Sequence, residues 1–186
     1  MTTPGLVLAN FTNDWMDPAR PDEQILEIAR GMVLAPRHTY ITLTKQAQRL
    51  ACTLPAVCAD LNTLIPDNWF IGLTIRNQAE ADERLEPFLA VRAHHVWLSL
   101  EPIEEAIDLA EYLPHVAGVI VGHDNRAKAK GTHDFLNIST TINQCRAYGV
   151  PCYTKQAWVF GKLMKNNNNW SEEARQLPWT APKETP

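Results

Sequence analysis

The run Val116–Asp124, V-A-G-V-I-V-G-H-D, most narrows the folds open to this chain. It is apolar and rich in β-branched residues, with no polar residue alternating through it, so a strand made from it must bury both faces. That is the condition of strands in parallel sheets covered by helices. The run stops at a glycine and a polar burst, His123-Asp124-Asn125-Arg126. Parallel α/β proteins place such groups at the carboxyl ends of their strands, where binding sites form.

The same sentence, strand and then polar end, recurs along the chain. Gly5–Asn10, His38–Thr44, Asn68–Thr74, His95–Leu100 and Val150–Thr154 are the other strand candidates. Between them the apolar spacing switches to that of helices. Pro21 and Asp22 open one with Ile25, Ile28, Ala29 and Met32 on its buried stripe, and Pro36 stops it. A second is expected to break near Pro55 and resume through Val57 and Leu61; a third spans Gln78 to Ala90. A short acidic helix is expected from Glu104 to Tyr112. The clearest helix is Thr132–Tyr148, with Phe135, Ile138, Ile142 and Cys145 buried, Thr132 or Asp134 as cap, and Gly149 at the stop. Successive strands stand far enough apart for a crossover helix, so they should pair in parallel. Polar groups after every strand favour a ring of strand ends over a single switch point. The expected fold is therefore α/β, a partial, open TIM-like barrel of about six parallel βα units. It would occupy residues 1–160, followed by a short helix and a loosely ordered, Pro-rich tail over 161–186.

With 186 residues and 45% hydrophobic content, one core is expected. A net charge of −4 argues against a general nucleic-acid binder, although a local basic patch can hide inside that average. The chain shows no basic leader and no apolar run of the roughly 18 residues a membrane span requires, so a cytoplasmic protein without a membrane partner is expected. Cys52, Cys58, Cys145 and Cys152 form no C-x-x-C pair and read as small buried thiols in a reducing compartment.

Four stretches, taken in order, carry a resemblance. They are H-T-Y-I-T-L-T-K (38–45), W-F-I-G-L-T-I-R-N-Q-A-E-A-D-E-R (69–84), L-S-L-E-P (98–102) and V-I-V-G-H-D (119–124), followed by T-H-D-F-L (132–136) and Q-C-R-A-Y-G-V-P-C-Y-T-K-Q (144–156). Together they resemble the phage-encoded, radical-SAM-like family of unknown function known for a three-cysteine motif. The resemblance implies a partial α/β barrel of the kind radical S-adenosylmethionine enzymes use, working in a host cell's cytoplasm. The cysteine cluster that family members carry has no counterpart before Cys52. The family's G-G-E-S-G turn is Gly122–Arg126 here, and the tryptophan that follows Lys-Gln is replaced by Ala157, with Trp158 one place later. The expectation is a non-radical, degenerate member with no cofactor and no metal.

The strand ends nominate Asn10, Asp14, Lys45, Arg76, Glu101, His123, Asp124, Lys155 and Gln156 as one ligand-binding face. Lysine and arginine there suit an anionic small ligand or a protein partner. A second reading is a non-radical enzyme in which Asp14, Glu101, His123 and Asp124 supply donors suited to Zn or Mn. A third is a radical-SAM component completed by another chain. Plainer roles compete for the same residues: a Lys45–Glu101 ion pair, His123 with Asp124 capping the next segment, and tryptophans that simply pack. The first strand carries no charge or proline to discourage pairing, so a second copy or a protein partner is expected to cover its edge, with the tail around Trp170 and Trp179 as the competing cover.

Overall fold

The computed structural model describes residues 3–9, 13–126, 134–165 and 170–179. They divide into two compact units, residues 1–74 with 82–96, and residues 75–81 with 97–186.

The first unit holds β1 (Leu6–Leu8), α1 (Asp22–Leu34), β2 (Thr39–Thr44), α2 (Ala47–Asp60) and β3 (Trp69–Thr74). Its strands pair in parallel, Leu6 opposite Thr39 and Tyr40 opposite Trp69. Ile41, Trp69, Ile71 and Leu73 are buried in the strands. The helices bury Ile25, Ala29 and Met32 of α1, and Leu50, Leu54, Val57 and Cys58 of α2. The expected break at Pro55 is absent, and α2 runs through it. Proline removes one N–H from the ladder, and the buried stripe on both sides of it holds the helix. α1 ends at Leu34, two residues before Pro36, because a residue preceding proline is pushed out of helical geometry.

Next come α3 (Gln78–Leu89) and β4 (His95–Leu100), each with residues of both units. The second unit continues with β5 (Gly118–Gly122), α4 (Phe135–Tyr148), β6 (Cys152–Val159) and β7 (Lys162–Lys165). β4 pairs with β5 and β5 with β6 in parallel, while β6 and β7 are antiparallel. Every residue of β5 is buried, as a strand covered on both faces requires. Asp134 caps α4 by accepting the Leu136 N–H (2.9 Å), and Gly149 closes it in the left-handed region at φ 67°.

The fold is α/β and mostly parallel, but it is not six repeated parallel βα units. No helix forms between Glu104 and Tyr112; a 3-10 turn at Leu113–His115 is the nearest helical element there. Side chains take the backbone groups that a helix would have used. Gln78 Oε1 accepts the Asp108 N–H (2.8 Å), Gln144 Oε1 accepts the Leu109 N–H (2.8 Å), and Gln144 Nε2 donates to the Ile107 carbonyl (2.8 Å). The segment stays irregular and ends in turns, with Ile103, Ile107, Leu109 and Leu113 buried. The short helix expected after the sixth strand is likewise replaced by a hairpin, turned at Phe160 and Gly161 with φ of 47° and 71°. Both central residues at positive φ match a type I′ turn, which suits the twist of the paired strands.

Within the stretch read as a tail, residues 172–174 form a 3-10 turn and Arg175 bridges to Tyr153. Trp179 meets Trp97 edge-on with ring centroids 5.5 Å apart. Among the described residues, no helix is long and apolar enough to cross a membrane.

Candidate functional site

A cleft of about 240 Å³ opens in the second unit, lined by Glu101, Pro102, His123, Asp124, Asn125, Arg126, Lys155 and Gln156. Its walls come from the residues after β4, the residues after β5, and the middle of β6. A register shift between Val121 and Gly122 lets β6 run on past the end of β5 and re-aims the side chains there.

Glu101 forms the floor. Its side chain is 17% exposed, and its Oε2 accepts from Lys155 Nζ at 3.2 Å. Gln156 Nε2 lies 3.5 Å from the other oxygen and donates to the His123 carbonyl at 2.8 Å. Burial pushes the Glu101 carboxyl above its ordinary value, against the pull of Lys155 in the other direction. Gly122 makes this approach possible, because a Cβ there would fall 2.8 Å from Glu101 Oε1 and 3.3 Å from Gln156 Nε2.

His123 is fully buried. Its Nδ1 accepts the backbone N–H of Trp158 (3.1 Å), so the neutral ring carries its proton on Nε2. The Trp158 indole N–H donates to the Asp124 carbonyl (2.8 Å), tying the loop after β5 to the end of β6. Asp124 folds back on its own loop, accepting the Arg126 N–H (2.9 Å) and holding the guanidinium through Nε (2.8 and 2.7 Å) and Nη2. The two carboxylates lie deep, with Asp124 12% exposed, while their cations reach outward, Arg126 at 62% and Lys155 at 58%. The cleft therefore has an acidic floor beneath a cationic rim.

Five of the nine residues nominated from the sequence line this cleft: Glu101, His123, Asp124, Lys155 and Gln156. Asn10 lies outside the described residues. Asp14 and Lys45 belong to the first unit, where Asp14 accepts the backbone N–H groups of Met16 (3.0 Å) and Lys45 (2.8 Å). Arg76 is in the second unit but not in the cleft wall. Its guanidinium grips Glu80 (2.6 Å) and Glu104 (3.1 Å), fastening the segment after β4 to the start of α3. Arg126, Trp158 and Gly122 were not singled out from the sequence as site residues. The clues present were the polar burst after β5 and the tryptophan displaced by one place after Lys-Gln. Trp15, Trp69 and Trp97 are core residues.

Among the described residues, no three His, Cys, Asp or Glu side chains stand close enough to hold one ion. Cys52 is exposed, whereas Cys58, Cys145 and Cys152 are buried. A hydrogen bond with Cys145 and then burial push the Cys152 thiol far up, and burial raises Cys58.

No curated protein and no solved structure matches the chain. A family model described as "Protein of unknown function (DUF5131)" matches residues 1–184. With nearly its whole length covered, the chain belongs to that family of unknown function.

Proposed function

We propose that the cleft at the ends of β4, β5 and β6 binds a small anionic ligand without radical chemistry. The observation behind this is the separation of charge by depth: Lys155 and Arg126 stand exposed at the rim while Glu101 and Asp124 lie half-buried beneath them. A phosphate or carboxylate group would meet the cations first and share their hydrogen bonds with the floor, where charge-assisted bonds are the strong ones. A ligand that also carries a hydroxyl or amine could donate to Glu101. The resemblance to radical-SAM-like proteins supports a site at the strand ends, but the cysteines described above do not fit that chemistry.

A second reading rests on Glu101 itself. A buried carboxyl in a cleft with a raised pKa is the type of group that transfers protons in catalysis. A non-radical enzyme would use Glu101 as acid or base, with Lys155 steadying the charged form. One experiment separates the readings. The wild type and the variants Lys155→Met and Glu101→Gln are screened by thermal shift against small phosphorylated and carboxylated compounds. A stabilising compound lost in Lys155→Met and kept in Glu101→Gln supports binding, and any hit that Glu101→Gln retains unconverted while the wild type consumes it supports catalysis. No hit for the wild type, or hits unaffected by Lys155→Met, would count against both.

A further inference from the structure

The hairpin formed by β6 and β7 departs from local rules at its tip. Phe160 sits at positive φ, a region that bulky residues avoid and that Asn, Asp or Gly ordinarily fill in a two-residue turn. It is also wholly exposed, so its ring does nothing for the core. A residue that is both strained and unburied contributes nothing to folding that asparagine would not, and such violations gather at functional positions.

Charge is a separate observation. Residues 152–165 contain Lys155, Lys162 and Lys165 and no acidic residue, in a chain whose net charge is −4. All three lysines are exposed, and among the described residues Lys162 and Lys165 have no carboxylate partner. The antiparallel register sets Val159 opposite Lys162 and Ala157 opposite Met164. Since facing residues share a face and strand neighbours alternate, Lys162, opposite Val159, and Lys165, opposite Gln156, stand on opposite faces of the ribbon.

We propose that this hairpin binds a single strand of nucleic acid, with Lys162 and Lys165 on phosphates and the Phe160 ring stacked on a base. Polyanion chemistry follows from the unbalanced lysines. The choice of nucleic acid over an acidic protein follows from the tip. An aromatic anchor for a protein sits within a rim of neighbours that exclude water, and Phe160 has Gly161 and Lys162 beside it. Stacking on a base needs only an open ring face next to positive charge. This goes beyond the ligand cleft and uses different residues, since neither Phe160 nor Lys162 nor Lys165 lines it.

The test is fluorescence anisotropy of a short labelled oligothymidylate titrated with the full chain at several salt concentrations. Three proteins are compared: the wild type, Phe160→Asn, and the double variant Lys162→Gln/Lys165→Gln. The wild type should bind more weakly as salt rises. Phe160→Asn should bind about tenfold more weakly, as loss of one stacked base predicts. Its melting temperature should be equal or higher, because asparagine suits the turn. The double variant should lower the slope of log affinity against log salt by about 1.4, two contacts at roughly 0.7 each for single strands. No binding by the wild type at low salt would overturn the proposal. So would Phe160→Asn binding as tightly as the wild type, or polyglutamate displacing the oligonucleotide equally well at matched charge.

Discussion

Glu101 is where the physics of the cleft is most concentrated. Burial raises its pKa above the ordinary 4.5, so the folded protein holds this proton more tightly than the unfolded chain does. The stability linked to that difference is fully present below pH 4.5 and is lost as pH climbs through the raised value. Glu101→Gln is uncharged throughout and leaves Lys155 in water. It should therefore match the wild type in acid and be more stable than it at neutral pH, a gap that urea unfolding at both pH values would reveal. An equal effect at both pH values would mean that Glu101 is not held as described. Gly122→Ala acts on the same group from behind. Its Cβ would meet Glu101 Oε1 at 2.8 Å, so overpacking should cost about 1–3 kcal/mol and displace the carboxyl from Lys155. Denaturant melts give the cost, and loss of the pH-dependent stability gap between this variant and its Glu101→Gln double gives the displacement.

At the scale of elements, β5 and α4 show how closely local sequence and packing agree. Gly118 has backbone on the side where a side chain would go: Pro151 O at 2.9 Å and Pro178 Cα at 3.0 Å. Backbone yields less readily than a flexible side chain, so Gly118→Ala should destabilise by at least the cost of Gly122→Ala when the two are unfolded side by side. Asp134→Ala should cost α4 about 1 kcal/mol through its lost cap, as equilibrium unfolding would measure. The parallel core was legible because each strand is a short apolar run with nothing competing, and β4 spans the same His95–Leu100 that its sequence marks. Two elements were not legible, and for physical reasons. The segment 104–112 has acidic residues, alanines and Leu109 that suit a helix, but Gln78 and Gln144 reach it from α3 and α4, and no local pattern announces those bonds. The hairpin went unread because its turn is Phe-Gly, without the Asn or Asp that ordinarily signals it. The site followed the same division. Glu101, His123, Asp124, Lys155 and Gln156 could be read as polar strand ends, whereas the pairing of Arg76 with Glu80 and Glu104, and the capping by Asp14, depend on tertiary placement.

In the first unit, β1 is the end strand of the parallel ladder. It pairs with β2 and leaves Leu6 51% and Leu8 56% exposed. Among the described residues no strand pairs with its other edge, and an apolar edge of that kind favours pairing with another chain, so self-association is expected to rise with concentration. Light scattering coupled to size exclusion should show it, and Leu6→Lys should abolish it; a wild type that stays monomeric at high concentration would show that the edge needs no partner. Anion binding in the cleft of the second unit can be followed residue by residue in an NMR titration with inorganic phosphate. Amide shifts should concentrate at Gly122–Arg126 and Lys155–Trp158, saturate together and be absent in Lys155→Met. Shifts scattered over the surface, or the same shifts in the Lys155→Met variant, would contradict it.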